Sequence, residues 1–268
     1  MISPLASIHP NAKLGNNVTV DPFAVIHDRV EIGDDSHIMS HAVIMPFSRI
    51  GRNCRIFPGA TIGAIPQDLK FIGEETTAEI GDNTTIRECV TINRGTQDKW
   101  KTVVGSNCLL MAYSHVAHDC MVGNHVILAN AVQLAGHVEI GDYAIIGGLA
   151  GAHQFTRIGS HTYVAGHTVI RKDIPPFVKA AREPMSYMGL NIVGLQRRKF
   201  PQEQINTISQ IYHLMFVENH PTSRAMSLIE EKVADGEIKT QILNFVRQSK
   251  TGIIKRYSKN GIDEDQAL

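Results

Sequence analysis

The sequence predicts a parallel β-helix, coiled as a triangular prism, followed by an α-helical domain. Three observations predict this fold: a six-residue period of aliphatic side chains, glycines that follow those side chains, and helical spacing near the C-terminus. Only 6% of the 268 residues are aromatic, so small aliphatic side chains must fill the interior.

The six-residue period runs from Ile8 to Ile170. Of its 28 positions, 24 hold Ile, Leu or Val and one holds Ala, which chance does not give in a chain that is 43% hydrophobic. Hexapeptide repeats are typical of parallel β-helices, whereas neither a helix nor an alternating strand has this period. Three hexads are predicted to form one triangular coil, one hexad to each side. The glycines after inward positions, such as Gly33 and Gly51, suit corners that need a positive φ angle.

Two polar insertions interrupt the repeat, where the register meets Asp68, Glu74 and Asp98. They fall near residues 66–77 and 94–101, and the repeat resumes in phase after each of them. The first adds two hexads to its coil and the second adds one hexad. Loops held on a rigid scaffold often carry function. Both insertions are therefore candidate parts of a functional site.

Residues 1–188 are predicted to form the β-helix domain and residues 189–268 a helical domain. A stripe of apolar residues at helical spacing marks the first long helix: Ile205, Ile208, Ile211, Tyr212 and Met215. Further helices are predicted at about 222–235 and 238–249. The polar tail from Lys250 is expected to be loose.

The composition argues against several classes of protein. Lys+Arg and Asp+Glu number 26 each, so no net basic field suggests nucleic acid or an anionic membrane as partner. No apolar run predicts a membrane-spanning helix, and the opening MISPLASIHP has no features of a secretory signal. The cysteines show no CxxC or zinc-finger spacing, and we expect buried free thiols in a reducing cytoplasm: Cys54, Cys89, Cys108 and Cys120.

The segment HVAHDC, residues 115–120, carries two histidines outside the inward register. His118 is followed by His137 and then by His153 at intervals of about one coil. Surface histidines are common on a repeat, but a column of three beside polar insertions predicts a cleft. Gly136 follows His118 by three complete hexads and is therefore expected one coil directly above it.

Two chemistries fit these residues. Histidines from two chains would bind zinc in a site like that of the hexapeptide-repeat carbonic anhydrases. Alternatively, neutral His118 acts as a general base on a hydroxyl, the Gly136 N–H stabilises an oxyanion, and Asp119 orients the imidazole. Because adjacent residues of a strand point apart, pairing of His118 with Asp119 requires a corner geometry.

Seven motifs, taken together and in order, resemble the UDP-N-acetylglucosamine 3-O-acyltransferases of lipid A biosynthesis. They are QDLKF, HVAHDC, LAGHV, IIGG, HQF, DIPPFV and GLNIVGLQRR. The resemblance implies a left-handed parallel β-helix in a cytoplasmic homotrimer, with active sites between subunits. It also implies transfer of a (3R)-hydroxyacyl chain from the phosphopantetheine of acyl carrier protein to the 3-hydroxyl of UDP-N-acetylglucosamine, with no metal or other cofactor.

The resemblance also implies roles for individual residues. His118 matches the catalytic base, Gly136 the oxyanion-hole amide and Gly166 a ruler of acyl length. Ten residues match substrate-binding positions: Gln67, Asp68, Lys70, His115, His137, His153, Gln154, Asn191, Arg197 and Arg198. The last five match the nucleotide site, where the planar fork of arginine suits a diphosphate. Val193 stands where relatives can carry a glutamate near the nucleotide, so one polar contact is expected to be absent. Asn93 stands where relatives can carry histidine.

Other hexapeptide proteins remain as alternatives. An acetyl-CoA-dependent acetyltransferase shares the repeat but usually lacks the GLNIVGLQRR segment and the helical tail. The N-acyltransferase of the same pathway carries a domain before its repeats, whereas here the repeat begins at Ile8. A non-catalytic scaffold explains the coil but not the ordered polar motifs. The sequence leaves open the acyl chain length, a 3-hydroxyl or 3-amino acceptor sugar, and the order of substrate binding.

Overall fold

The computed structural model describes residues 1–218 and 220–256. Its larger part is the predicted left-handed parallel β-helix, in which three parallel sheets form the faces of a prism. Strands of the coils pair with the parallel strand one coil later, as Ser7 does with Val25 and Ile8 with Ile26. These partners are separated by three hexads, which confirms the predicted coil. The end of face 3 differs, because Ser186–Leu190 lies antiparallel to Val178–Ala181.

The strands are short, mostly of two residues, because a corner follows each inward side chain. Face 1 consists of Ser7–Ile8, Val25–Ile26, Val43–Ile44, Thr61–Ala64, Thr91–Asn93, His115–Val116, Gln133–Leu134, Gly151–Ala152 and Val169–Ile170. Face 2 consists of Lys13–Leu14, Glu31–Ile32, Ser48–Ile50, Thr77–Ile80, Lys101–Val104, Met121–Val122, Glu139–Ile140 and Arg157–Ile158. Face 3 consists of Thr19–Val20, His37–Ile38, Arg55–Ile56, Thr85–Ile86, Leu109–Leu110, Ile127–Leu128, Ile145–Ile146, Tyr163–Val164, Val178–Ala181, Ser186–Leu190 and Lys255–Arg256.

The interior of the prism consists of aliphatic side chains in the predicted register. Ile44 and Ile62 on face 1 and Ile38 and Ile86 on face 3 are fully buried. Complete burial of such a side chain is worth roughly 1.5–3 kcal/mol. The stacked register therefore forms one continuous core along the prism axis.

The pairing register gives the lengths of both insertions. Ile62 pairs with Ile92, so the coil that contains the first insertion is five hexads long. Ile80 pairs with Val104, so the coil that contains the second insertion is four hexads long. A regular coil has three hexads, and the insertions therefore add two hexads and one hexad. Both lengths are those that the sequence predicted.

Most corners are two-residue turns in which the second turn residue has a positive φ angle, and this residue is usually not glycine. The angle is 52° at Asn53 and 58° at Asn107. Apart from Gly63, the glycines after inward positions do not adopt positive φ, so the reason that we inferred for them from the sequence is wrong. They are needed because coils approach closely: a Cβ on Gly33 would lie 2.7 Å from the carbonyl carbon of Gly51.

Four α-helices follow the last coil in the described part of the chain. They are α1 (Ile192–Arg197), α2 (Gln202–Tyr212), α3 (Thr222–Lys232) and α4 (Glu237–Arg247), and a π-helical turn, His213–Val217, extends α2. The last two correspond to the helices predicted after the proline break. None of the described helices has the length and apolar character that crossing a membrane requires.

The helices close one end of the prism. Tyr212 of α2 is fully buried, and its hydroxyl donates a 2.7 Å hydrogen bond to the carbonyl of Pro176. Leu195 of α1 and Ile208 of α2 are also buried and continue the prism core. Strand edges at the end of a sheet invite unwanted pairing, and this helical cover protects them.

The segment after α4 was expected to be loose from Lys250, and this is wrong for its described part. Ile253 is buried, and Lys255–Arg256 forms a strand beside Ser186–Leu190. Residues 257–268, which the expectation also covered, lie outside the described residues. The predicted boundary between the two domains stays a prediction, and the strand Ser186–Leu190 crosses it.

The cysteines depart from expectation at one position. Cys54, Cys108 and Cys120 are buried free thiols, but Cys89 is exposed. Cys89 takes the positive-φ position of a corner, with φ 55°, rather than an inward position. Its exposure therefore follows from its place in the turn.

Candidate active site

Both insertions leave the prism at the turn that connects face 1 to face 2, here termed the first corner. Residues 65–76 form this corner in one coil, and residues 94–100 form it in the next. In the coil after that, the same corner consists of His118 and Asp119. The insertions therefore stand beside this pair and enclose a corner that would otherwise face solvent.

His118 lies outside the aliphatic core, yet its side chain is only 10% exposed. Nδ1 lies 2.8 Å from Oδ2 of Asp119. We assign the ring proton to Nδ1, which donates to the carboxylate and leaves the lone pair on Nε2. The two adjacent residues meet because Asp119 has a φ of 59°, which supplies the corner geometry that the pairing requires.

Asp119 is completely buried and ties the second insertion to His118. Its carboxylate accepts hydrogen bonds from Thr96 N at 3.0 Å, Thr96 Oγ1 at 2.6 Å and Lys99 N at 3.1 Å. Burial raises its pKa, but the hydrogen bonds from His118 and Thr96 outweigh burial and lower the pKa to about 2. Asp119 is therefore a permanent anion beside the imidazole at neutral pH.

Gly136 lies one coil above His118, and the imidazole packs against its Cα. A Cβ on Gly136 would lie 2.6 Å from Cε1 and 2.7 Å from Nε2 of His118, so only glycine leaves room for the ring. The Gly136 amide donates to no acceptor in the described part of the chain, whereas the next amide, of His137, donates to His118 O at 3.0 Å. A backbone N–H beside a base is suited to a developing oxyanion.

His137 forms the second imidazole of the site. Its ring meets that of His118 edge to face, with centroids 5.0 Å apart, and stacks on Phe155 at 4.4 Å. Its Nδ1 lies 2.9 Å from Oδ2 of Asp98. Asp98 was not among the predicted site residues, because its interruption of the aliphatic register does not reveal which side of the insertion faces the prism.

The first insertion brings Asp68 to His118. Oδ2 of Asp68 lies 4.0 Å from Nε2 of His118, and its Oδ1 accepts a 2.9 Å hydrogen bond from Lys70 N. The side chains of Gln67 and Lys70 are exposed beside this contact. Three of the predicted substrate-binding residues therefore lie at the first corner, next to the candidate base.

Asn93 and Arg94 anchor the base of the first insertion. Nδ2 of Asn93 donates to Ile65 O at 3.0 Å, and the Arg94 guanidinium packs 5.3 Å from the centre of the Phe71 ring. Both anchoring residues are buried. Sequence reasoning treated Asn93 only as a departure from the family and missed Arg94, since neither contact is visible without the loop's path.

The HVAHDC segment contains two other reactive groups, His115 and Cys120. His115 lies on face 1 with Nδ1 2.7 Å from Thr91 Oγ1, and burial lowers its pKa. Burial also raises the pKa of the Cys120 thiol to about 12. Because the thiolate is the reactive form, Cys120 is inert at neutral pH.

The column of three histidines is only partly formed. His153 and Gln154 lie at the first corner one coil beyond Gly136, and both side chains are exposed. The ring that stacks on His137 belongs to Phe155. The structure thus brings together two of the three imidazoles and leaves His153 at the open end of the corner.

Two of the predicted nucleotide-site residues lie at a different corner, between faces 2 and 3, here termed the second corner. Nη2 of Arg198 donates to Tyr143 O at 3.0 Å, and the guanidinium packs 5.2 Å from the centre of that ring. Arg197, the last residue of α1, is exposed. Within one chain, neither arginine is brought together with His118.

Asn191 is engaged in local structure near the second corner. Its Oδ1 accepts a hydrogen bond from Gly194 N at 3.2 Å, which caps the N-terminus of α1, and its Nδ2 donates to His161 O at 2.8 Å. This asparagine therefore fixes where α1 starts, and with it the place of the two arginines. The sequence suggested only a ligand contact.

Gly166, the predicted ruler, lies at the third corner, between faces 3 and 1. A Cβ there would lie 2.8 Å from Gly148 O in the preceding coil. The glycine thus also serves the close spacing of the coils. Like the arginines, Gly166 is remote from the first corner of its own chain.

The side chains at the first corner do not fit a zinc site well. Ligand atoms of His118, Asp119 and His137 lie within 4.8 Å of one another. However, the oxygens of Asp119 already accept hydrogen bonds from His118 and from the second insertion. Within the described part of one chain, two imidazoles of this cluster remain, fewer than the three protein ligands of a catalytic zinc, so a zinc site here would need a ligand from a second chain.

Comparison with known proteins adds independent evidence. The profile of the family described as "Udp N-acetylglucosamine O-acyltransferase; Domain 2" matches residues 173–254, and a hexapeptide-repeat profile of bacterial transferases matches residues 29–64 and 101–136. An acyl-[acyl-carrier-protein]–UDP-N-acetylglucosamine O-acyltransferase of Thiobacillus denitrificans is 40% identical over 255 residues, covering 95% of this chain and 99% of the relative. One from a Janthinobacterium strain is 43% identical over 260 residues, covering the same shares.

Solved structures agree with these matches. A UDP-N-acetylglucosamine acyltransferase from Bacteroides fragilis superposes with a TM-score of 0.93 at 50% identity, covering 95% of this chain and 100% of the other. The enzyme of the same description from Francisella novicida gives a TM-score of 0.94 at 35% identity, covering 100% and 99%. The similarity therefore extends over both the prism and the helices.

Proposed function

The chain belongs to the UDP-N-acetylglucosamine O-acyltransferase family and is an acyltransferase, and from this premise we propose its substrates and mechanism. The donor is a (3R)-hydroxyacyl chain on the phosphopantetheine of acyl carrier protein. The acceptor is the 3-hydroxyl of UDP-N-acetylglucosamine, and the reaction is the first step of lipid A biosynthesis. The observation that carries the mechanism is the His118–Asp119 pair beneath the amide of Gly136, which has no hydrogen-bond acceptor among the described residues.

In this mechanism His118 is the general base. The sugar 3-hydroxyl oxygen attacks the thioester carbonyl carbon while its proton passes to Nε2 of His118. Asp119, an anion bonded to Nδ1, stabilises the imidazolium that forms. Asp68, 4.0 Å from Nε2, is placed to orient the acceptor sugar.

The second half of the reaction returns the proton. The tetrahedral oxyanion is stabilised by the Gly136 N–H, which has no other partner in the described chain. As the intermediate collapses, the carbon–sulfur bond breaks and the His118 imidazolium protonates the departing thiolate. These steps account for every bond and proton of the acyl transfer without a metal or other cofactor, and we propose that none is needed.

The distribution of charge on the prism supports a homotrimer. Outward residues of face 2 alternate in sign along the axis: Lys13, Glu31, Arg49, Glu79 and Lys101. The outward strand residues of face 1 include no Lys, Arg, Asp or Glu, and face 3 presents Leu109, Ile127 and Ile145 at the level of His118. Three copies packed through faces 1 and 3 would leave the charged face 2 in solvent, consistent with closed cyclic symmetry.

This packing would complete the site. Where face 1 of one copy lies against face 3 of the next, the first corner of one chain meets the second corner of its neighbour. Arg198 of a neighbouring copy would then approach the corner that carries His118, which accounts for their separation within one chain. Leu69 and Ile72 of the first insertion, 104% and 82% exposed, would be covered by the same contact.

The proposal includes a cytoplasmic enzyme with no nucleic-acid partner, since acyl carrier protein and the nucleotide sugar are soluble cytoplasmic substrates. Purified protein is incubated with UDP-N-acetylglucosamine and a mixed pool of (3R)-hydroxyacyl carrier proteins. We expect a sugar nucleotide whose mass increases by one hydroxyacyl group, attached at O3. The chain length of that product also identifies the preferred donor.

Parallel incubations separate the alternatives. Acetyl-CoA in place of the carrier protein is expected to give no product, and acetylation from it alone would establish an acetyltransferase instead. A 3-amino analogue of the sugar tests the acceptor atom. A chelator is expected to leave the rate unchanged, and loss of activity restored by zinc would overturn the metal-free mechanism.

A further inference from the structure

The hydroxyl of Thr96 links the two imidazoles of the candidate site. Thr96 is in the second insertion and was not predicted to belong to the site. Its Oγ1 donates a 2.6 Å hydrogen bond to Oδ2 of Asp119, the same oxygen that accepts from Nδ1 of His118 at 2.8 Å. The threonine hydroxyl and the imidazole therefore bind one carboxylate oxygen together, which leaves that oxygen little freedom to move.

The same hydroxyl also acts as an acceptor. Oγ1 of Thr96 accepts from Asp98 N at 3.3 Å, which holds the turn that presents the Asp98 carboxylate. Oδ2 of Asp98 in turn lies 2.9 Å from Nδ1 of His137. One side chain thus belongs to two hydrogen-bonded chains, each of which ends on an imidazole.

The backbone around Thr96 is fixed at both ends. Thr96 N and Lys99 N both donate to Asp119, at 3.0 and 3.1 Å. On the other side, Gly95 N donates to Thr77 O at 3.1 Å, which joins the second insertion to the strand that follows the first. The position of the hydroxyl is therefore set by the prism rather than by a free loop.

We propose that Thr96 is a positioning residue for the acyl transfer, orienting His118 through Asp119 and His137 through Asp98. The inference rests on the proposed function, because it assigns Thr96 a role in that reaction. Buried carboxylates that orient an imidazole need their own hydrogen bonds to hold the productive geometry. Thr96 supplies that support to both imidazoles at once.

The test compares Thr96→Val, which keeps the shape but lacks the hydroxyl, with Thr96→Ser, which keeps the hydroxyl. Thr84→Val is the matched control, because the buried Thr84 hydroxyl likewise donates to another coil, to Gly105 O at 2.8 Å, but bonds to neither Asp119 nor Asp98. If Thr96→Val does not fold, Thr96→Ala replaces it. Kinetic constants for both substrates are measured for each variant, with the oligomeric state and the thermal unfolding temperature as controls of folding.

We expect Thr96→Val to lower kcat roughly 10- to 100-fold, since a hydrogen bond to a charged group is lost, with a smaller change in either KM. Thr96→Ser should recover most of the rate, and Thr84→Val should keep the wild-type kcat. The inference is overturned if Thr96→Val keeps kcat within about twofold, if Thr96→Ser is as impaired as Thr96→Val, or if Thr84→Val loses as much.

A second measurement keeps this inference separate from the proposed function. Crystal structures of the wild type and of Thr96→Val are compared at the first corner. We expect the variant to lose the Asp98–His137 contact and to turn the His118 ring away from Gly136. If the wild type transfers no acyl group, the proposed function is wrong. The role of Thr96 is judged separately: if both imidazoles keep their wild-type positions in Thr96→Val, Thr96 does not orient them.

Discussion

His118 and Asp119 are adjacent in the sequence, yet their side chains meet in a 2.8 Å hydrogen bond at a corner of the prism. In an extended strand they would point to opposite sides. The positive φ of Asp119 folds the second side chain back onto the first. The repeat that builds the scaffold therefore also builds the candidate catalytic pair.

Removal of the base tests this pair directly. His118→Ala is expected to lower kcat by about 10²–10⁴-fold, the usual contribution of a general base, while the protein stays folded because the ring lies outside the aliphatic core. The control is His9→Ala, near the opposite end of the prism. If His118→Ala kept more than about a tenth of the wild-type kcat, with chemistry limiting turnover, the base would be another group.

Gly136→Ala places a methyl group where the His118 ring now packs. The added Cβ would lie 2.6–2.7 Å from ring atoms, so the imidazole must move. We expect a loss of kcat of at least about 10²-fold, as for loss of a general base, because the displaced ring is no longer aligned with the acceptor hydroxyl, with little change in stability. Gly236→Ala, whose Cβ would meet nothing within 4 Å, is the control. Equal rates in the two variants would contradict the role of Gly136.

The pKa of Asp119 predicts how stability depends on pH. Because its pKa is lowered to about 2 in the folded chain, from about 3.9 when unfolded, folding favours the ionised form. The resulting stabilisation, roughly 2–3 kcal/mol, is complete above about pH 5 and is lost as the pH falls through 4 toward 2. Asp119→Asn should therefore be less stable than the wild type at pH 7, and this difference should shrink near pH 3.

Chemical unfolding at both pH values measures this difference. Glu231→Gln, a change of an exposed carboxyl on α3, serves as the control and should show little pH-dependent difference from the wild type. A stability gap between wild type and Asp119→Asn that is the same at pH 7 and pH 3 would contradict the assignment of the ionised, hydrogen-bonded carboxylate.

Gly166→Met tests the proposed ruler of acyl length. The new side chain starts only 2.8 Å from Gly148 O, so it must project away from the neighbouring coil and fill the space beside the third corner. We expect preference to shift toward shorter acyl chains, since added volume in a packed groove typically costs about 1–3 kcal/mol. The product profile from a mixed donor pool measures the shift, with Gly236→Met as the control. An unchanged profile in folded protein would place the ruler elsewhere.

Several features could be predicted from the sequence because they depend on a local period. The aliphatic register from Ile8 to Ile170 predicts the coil, and the two breaks in it predict the lengths of the insertions. The position of Gly136 directly above His118 follows from the same period, since residues separated by three hexads in a regular coil must stack. The function was predicted from seven motifs in their order along the chain, which the six-residue period does not explain.

The tertiary structure alone decided how the insertions meet the prism. The contacts from Thr96 to Asp119 and from Asp98 to His137 span 23 and 39 residues, and they depend on the path of a loop that has no repeat. The structure also gave the reason for the corner glycines, which is the close approach of coils rather than a positive φ. A period in the sequence fixes which residues stack, because each coil repeats the one before. The contacts of an irregular loop depend on everything that packs around it, so only the folded chain determines them.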